Sequence, residues 1–291
     1  MRISLLYGEH AGDGVSIQQL RDRLGRRGHE IVRIIEKDQS DPLLDASTEL
    51  VVAAGGDGTV SAAARAVAGC GVPLAILPLG TANNIARSIG IGGSVSEVIE
   101  SWENARRLPF DIGIASGAWG ERSFLESVGG GLVSAGIAAM QSHSEDEQEE
   151  PACKLAAAVR RYCELLFRVK PRHWKLTLDG TRIAGDFVLV EVLNTPSIGP
   201  NLVLTPDVDP SDGFFSVVTA GEEHREALSD YLRHRLEGKD FDLSLPTRQA
   251  REIEIEIGDE MHANGTLRPW PTAGPTSIRI ERAALEFLAM G

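Results

Sequence analysis

Val51-Val52-Ala53-Ala54-Gly55-Gly56-Asp57-Gly58-Thr59 decides the fold. An apolar run ends abruptly in three glycines wrapped around one aspartate, and an alanine-rich helical pattern follows from Val60 to Ala68. The order is strand, glycine turn, helix. Glycine lets the backbone come close to a ligand, and the free N–H groups of a helix start attract anions. The aspartate needs its own reason. A carboxylate beside phosphates is repelled unless a divalent cation lies between them, so the turn points to Mg²⁺ with a nucleotide. The competing reading is a tight turn whose aspartate serves only its own backbone.

A second segment favours the ligand reading. Leu77-Pro78-Leu79-Gly80-Thr81-Ala82-Asn83-Asn84-Ile85-Ala86-Arg87 also leaves a strand and opens a helix. Thr81, Asn83 and Asn84 place a hydroxyl and two amides at that helix start, where such groups cap the helix or bind a polar ligand. Around these turns the first third alternates strand and helix: strands from Ile3, Glu30, Leu50 and Val72, and a helix with Ile17, Leu20 and Leu24 on one face. That alternation implies a parallel sheet covered by helices, with ligands beyond the carboxyl ends of the strands. After about Asp111 the signals turn to β. They include the alternation Glu252-Ile253-Glu254-Ile255-Glu256-Ile257 and the Asp179-Gly180 hairpin signal, interrupted by helices from Lys154 and Glu223. The expected architecture is α/β plus all-β. An N-terminal parallel-sheet domain covers 1–112 and is completed by 281–291, and a C-terminal β-sandwich covers 113–280.

Composition narrows the function. The 291 residues are 42% hydrophobic and 24% charged, as in an ordinary globular protein. A net charge of −13 argues against a general nucleic-acid binder and against strong electrostatic docking on anionic lipid, though it allows a local basic patch. Cys70, Cys153 and Cys163 are too few for a disulfide framework, and the seven histidines show no metal-ligand spacing. No run approaches the roughly eighteen apolar residues of a membrane span, and the N-terminus turns polar too soon for a signal peptide. These features lead us to expect a cytoplasmic protein with transient membrane contact at most. There is no Gly-x-Ser-x-Gly element and no P-loop. Arg160 and Arg161 could approach ATP phosphates or lipid but read rather as a solvated helix face, and Ser144 to Glu150 reads as a solvated acidic loop.

The two turns at this separation resemble those of the diacylglycerol kinase-like lipid kinases, in which Gly-Gly-Asp-Gly-Thr is followed by Pro-x-Gly-Thr-x-Asn. Phe110-Asp111-Ile112-Gly113 looks like the family's Asp-x-Gly. Phe124 to Gly131 looks like its glycine-rich entry to the second domain. Thr205 to Gly213 looks like its proline and Asp-Gly loop, and Ala283 to Leu288 like its closing strand. NAD kinases share the first turn but fit the rest less well. The resemblance implies ATP and Mg²⁺ in a cleft and a lipid hydroxyl, such as that of diacylglycerol, as phosphate acceptor. Asp57 would order Mg²⁺, while Gly55, Gly56, Gly58, Thr59, Gly80, Thr81 and Asn83 contact nucleotide. Asp111 would join the acidic network, Arg87 would stabilise charge, and Asp212 would belong to a structural cation loop. The partners implied are a nucleotide and a lipid-like acceptor, without nucleic acid; the sequence is also compatible with a homodimer.

The departures matter too. Gly8-Glu9 stands where the family has Asn-Pro, and Asp13 where some relatives have Lys. Asn84 replaces a common Asp. Asn264-Gly265-Thr266 takes the place of the family's Asp-Gly-Glu, whose Asp is the proposed general base, and an amide is no useful base. Asp259 and Glu260 stand just upstream. As local sequence, Asn264-Gly265 reads as a type I′ turn between strands at Glu252 and Ser277. Three functions stay open: a lipid kinase with weakened catalysis, a nucleotide-binding pseudokinase acting through a partner, and an NAD kinase-like enzyme.

Overall fold

The computed structural model describes residues 1–8, 15–37, 42–141, 150–257, 261–268 and 274–289. Glu9, Asp13, the acidic run up to Glu149, Asp259 and Glu260 lie outside the described residues. The chain divides into two compact units: residues 1–111 with 282–291, and residues 112–281.

The first unit follows the alternation in its sequence. Strand β1 (Arg2–Tyr7) leads to helix α1 (Ile17–Arg26) and β2 (Glu30–Glu36); β3 (Leu50–Gly55) leads to α2 (Asp57–Val67) and β4 (Leu74–Pro78). Helices α3 (Asn84–Ser88) and α4 (Val95–Ser101) follow, and β5 (Arg106–Gly117) leaves the unit. Ser16 and Gln19 form a reciprocal capping box that starts α1, and Leu20 and Leu24 bury its inner face. The strands are parallel in the order β2-β1-β3-β4, and Phe287 of the final strand pairs beside Leu74 of β4. Strand β3 is buried at every residue, as a central parallel strand should be. Connections leave β1 and β3 in opposite directions, so their carboxyl ends form the switch point where such sheets bind ligands.

The second unit is an antiparallel sandwich. Its elements are β6 (Gly120–Phe124), β7 (Ser127–Gly131), α5 (Leu132–Gln141), α6 (Pro151–Leu166), β8 (Arg172–Leu178), β9 (Thr181–Phe187) and β10 (Leu189–Leu193). After these come β11 (Ser197–Ile198), β12 (Leu202–Val203), β13 (Phe215–Ala220), α7 (Arg225–Leu236), β14 (Thr247–Ala250) and β15 (Glu252–Glu256). The last are β16 (Met261–Ala263), β17 (Thr266–Arg268) and β18 (Thr276–Ala289). One sheet runs β14-β13-β10-β7-β16-β17, and β8, β9, β15 and the first half of β18 belong to the other. Between them pack Phe124, Trp174, Val190, Val192, Phe215, Ile253 and Ile278. A second apolar layer, including Tyr162, Leu189, Leu193 and Tyr231, fills the space under α5 to α7.

Several local expectations are corrected. Helix α2 starts at Asp57 rather than Val60, because its polar first turn carries no apolar period. The glycine-rich entry at 124–131 contains a strand: glycines 129–131 lie inside β7, and α5 comes next. The closing segment is one fourteen-residue strand. Asn264-Gly265 does form a hairpin turn, with φ of 47° and 67°, but it joins β16 to β17 and not the strands at Glu252 and Ser277.

Candidate active site

The two polar turns meet, backbone on backbone. A Cβ on Gly80 would overlap Gly56 Cα and stand 3.0 Å from Gly56 N, so neither turn has room for a side chain at this contact. The Leu79 N–H donates to Gly55 O at 3.2 Å. Asn83 adopts φ of 52°, and its side chain locks its own turn: Oδ1 accepts Gly80 N–H at 3.0 Å, while Nδ2 donates to Gly80 O at 2.7 Å and Pro78 O at 3.3 Å. Asn83 is therefore a structural clamp. Thr81 is half-buried beside it, and Arg87 is exposed at the end of α3.

Asp57 joins the turns electrostatically. It is the first residue of α2, yet its carboxylate serves α3, accepting Ile85 N–H at 2.9 Å and Asn84 N–H at 3.1 Å. The carboxylate also accepts from the N–H groups of Asn83 and of Asp57 itself, so it is held by backbone donors on several sides. Burial pushes the Asp57 carboxyl above the usual carboxylate range, against the pull of the Ile85 and Asn84 N–H groups. Asn84 itself is buried. Thr59 is buried, its side chain packed against Gly8 and Gly55, so it shapes the turn from behind. Gly58 stands in the first turn of α2, where helix N–H groups have no carbonyl four residues back; the next N–H, that of Thr59, donates to Gly56 O at 2.9 Å.

One cation here is not foreseen from sequence. Lys37 Nζ lies 3.0 Å from where a Cβ on Gly58 would be. Lys37 follows β2 directly, and its N–H donates to Tyr7 O, which places it at the ligand end of the sheet. Its position just past a parallel strand was the available signal.

The other expected residues have structural partners. Asp111 is buried, and its Oδ1 accepts the N–H of Ala283, a residue at φ of 48°, across 172 residues of chain. In the second unit the Asp212 carboxylate accepts Phe214 N–H at 2.8 Å, closing a local turn. Asn264 Oδ1 accepts both Leu125 N–H and Glu126 N–H at 2.9 Å, and Asn264 N–H donates to Ser127 O. Two residues earlier, buried His262 on β16 reaches Glu191 on β10 at 3.0 Å; both residues lie opposite Gly129 of β7, whose missing side chain leaves the crossing open. Among the described residues no group of three or more His, Cys, Asp or Glu side chains gathers as a metal cage.

Comparison with known proteins now identifies the lineage. The model of the diacylglycerol kinase catalytic domain matches residues 5–115, and that of the YegS C-terminal NAD kinase beta sandwich-like domain matches residues 131–289. The chain belongs to the diacylglycerol kinase and YegS-like lipid kinase family. Within this family it is 28% identical to a diacylglycerol kinase of Mycobacterium tuberculosis, covering 99% of this chain and 94% of that protein. It is 31% identical to a probable YegS-like lipid kinase of Pseudomonas putida over 62% of this chain and 60% of that protein. A crystal structure of a diacylglycerol kinase from Bacillus anthracis shares the fold, with TM-score 0.70 and 20% identity, covering 99% of this chain and 96% of that one. Lipid kinases of this family use ATP as phosphate donor. Among the described residues no helix is long and apolar enough to cross a membrane.

Proposed function

We propose that this protein transfers the γ-phosphate of ATP to the hydroxyl of a lipid such as diacylglycerol, with general-base catalysis weakened by Asn264. The observation that carries the reading is the contact of the Gly55–Thr59 and Pro78–Asn83 turns at the carboxyl ends of adjacent strands. The N–H groups that open α2 and the Lys37 ammonium supply positive charge for phosphates there. Gly55, Gly56, Gly58 and Gly80 keep the backbone open to the nucleotide, and Arg87 offers a further guanidinium. Asp57 suits Mg²⁺ held jointly with nucleotide phosphates, because a single carboxylate is the usual protein share of such a site. The cation would neutralise phosphate charge, while Asp57 also keeps α3 in place.

In the transfer, the acceptor oxygen bonds to the γ-phosphorus, the bond to the bridging oxygen of ADP breaks, and the hydroxyl proton passes to solvent water in the absence of a carboxylate base. Asn264, standing where the family carries its base, holds no negative charge, and its carbonyl is already committed to Leu125 and Glu126. Phosphoryl transfer depends chiefly on positioning and charge, so turnover survives at a reduced rate. The same committed amide favours a second reading, a nucleotide-binding pseudokinase acting through a partner. Calorimetry with MgATP tests the shared premise. Wild-type protein binds, and Asp57→Ala, its fold verified by circular dichroism, binds at least tenfold more weakly. Undiminished affinity in the variant would remove Asp57 from the site.

A further inference from the structure

Strand β9 lies at an open edge of its sheet. It pairs with β8 over all seven of its residues without a register shift, and among the described residues no strand pairs its other side. Such an edge offers a row of unpaired N–H and C=O groups to a further strand. The other edges of the two large sheets are shorter or irregular. Strands β6, β14 and β17 have five, four and three residues, and the pairing of β1 with β2 shifts register between Ile3 and Ser4. Strand β9 carries neither proline nor bulge, the usual devices that keep an edge from pairing.

Its side chains say which strand would fit. Ile183, Gly185 and Phe187 share the core side, where Ile183 and Phe187 are half-buried against the sandwich core, and Arg182, Ala184 and Asp186 are exposed on the other face. Antiparallel pairing of β9 with a second copy of itself, centred on Ala184, sets each Arg182 opposite Asp186 of the other copy and the small Ala184 opposite itself. It also sets each Ile183 opposite the other Gly185. The Phe187 ring already covers that glycine, since a Cβ there would stand 2.7 Å from Phe187 Cζ. Ile183 of the second copy therefore lands on the ring, and the half-buried apolar side chains of both edges cover one another. Centring on Ile183 or Gly185 leaves the charges unmatched, and an odd shift sets inner faces against outer ones. Arg182 has no ion-pair partner among the described residues, and Asp186 pairs with the exposed His173 at 2.8 Å. A foreign strand would gain the backbone hydrogen bonds without the two matched charge pairs.

We propose that β9 is a self-association surface, pairing antiparallel with β9 of a second copy of this chain about a twofold axis at Ala184. The surface goes beyond the kinase reading and does not depend on it, because it involves neither polar turn. The test is sedimentation velocity of the full chain over a wide concentration range, with each variant's fold verified by circular dichroism. The wild type is expected to form a reversible dimer. Arg182→Asp replaces two attractive pairs across the axis by two like-charge pairs, and so does Asp186→Arg. Each should weaken the dimer about thirtyfold. An equimolar mixture of the two variants should dimerise again, because both contacts across the axis are then attractive. Both substitutions in one chain should restore the dimer for the same reason. Arg248→Asp on β14, the same charge change on another exposed edge, should alter association less than about twofold. A wild type that stays monomeric would overturn the proposal and leave the edge to a foreign strand. Undiminished dimers in the single reversals, equal losses in Arg248→Asp, or a mixture no more associated than its separate components would overturn it as well.

Discussion

Replacing Gly80 by alanine tests whether the two polar turns lean on one another. The new Cβ would overlap Gly56 Cα, stand 3.0 Å from Gly56 N and stand 2.8 Å from Asn83 Oδ1. Two of these neighbours are backbone, and the third is an amide fixed by three hydrogen bonds. None can move cheaply, so the cost falls at the upper end of the range for overpacking, about 3 kcal/mol. For a unit of this size that corresponds to a melting temperature lower by roughly 12 °C. Gly58→Ala is the internal control. Its Cβ would meet only the Lys37 ammonium at 3.0 Å and Cε at 3.8 Å, the far end of a flexible side chain. Gly58 lies within α2, where alanine is favoured over glycine by up to about 1 kcal/mol. The two substitutions should therefore act with opposite sign or nearly so, although both crowd the proposed phosphate site and weaken MgATP. Urea and thermal unfolding followed by circular dichroism measure the first effect, calorimetry the second. Equal stability losses in the two variants, or none in Gly80→Ala, would refute the claimed contact.

Other outcomes follow from the second unit. Gly129→Ala would drive its Cβ into Val190 O and the Glu191 side chain, breaking the Glu191–His262 crossing. Urea unfolding should show a loss of about 2–4 kcal/mol, and a neutral result would deny the crossing. Tyr162→Phe should be neutral or stabilising by up to about 1 kcal/mol in the same assay, because the Tyr162 hydroxyl is buried with no hydrogen-bond partner among the described residues. Burial, and then the Glu191 charge, push that hydroxyl well above its ordinary value. The unfolded chain would then release the proton first as pH rises past about 10, so wild-type stability falls there, and the phenylalanine variant should lose this tyrosine's share of the slope.

The parts of this protein that were legible in sequence are those with a local cause. Apolar runs ending in glycine mark β3 and its turn, and the spacing of Leu20 and Leu24 marks α1. Asn264-Gly265 reads as a turn because both residues must take positive φ. What stayed hidden is carried by distant partners. Nothing in the run of glycines 129–131 says that it forms a strand; that depends on Glu191 and neighbouring backbone, which occupy the space that side chains at Gly129 and Gly131 would need. The last strand runs unbroken through polar Glu281 and Arg282 because Asp111 holds the left-handed Ala283. Likewise, nothing near Asp57 in sequence says that its carboxylate caps α3. Nor does Lys37 announce that it will reach Gly58, since that depends on the pairing of β1 with β2.

The most direct measurement is phosphate transfer from ATP by purified wild type and by Asn264→Asp, alone and with Thr266→Glu, across diacylglycerol, sphingoid and isoprenoid alcohols. The two Asn264 backbone donors, Leu125 and Glu126, can serve a carboxylate as readily as an amide, so the aspartate variant should fold. The account predicts slow, MgATP-dependent phosphorylation of one lipid class by the wild type. It predicts a rate about a hundredfold or more higher once a carboxylate is restored, in line with the usual worth of a positioned base. A wild type already fast and unaffected by Asn264→Asp would contradict the weakened-base account, and no transfer to any lipid by any variant that still binds MgATP would contradict the kinase reading itself.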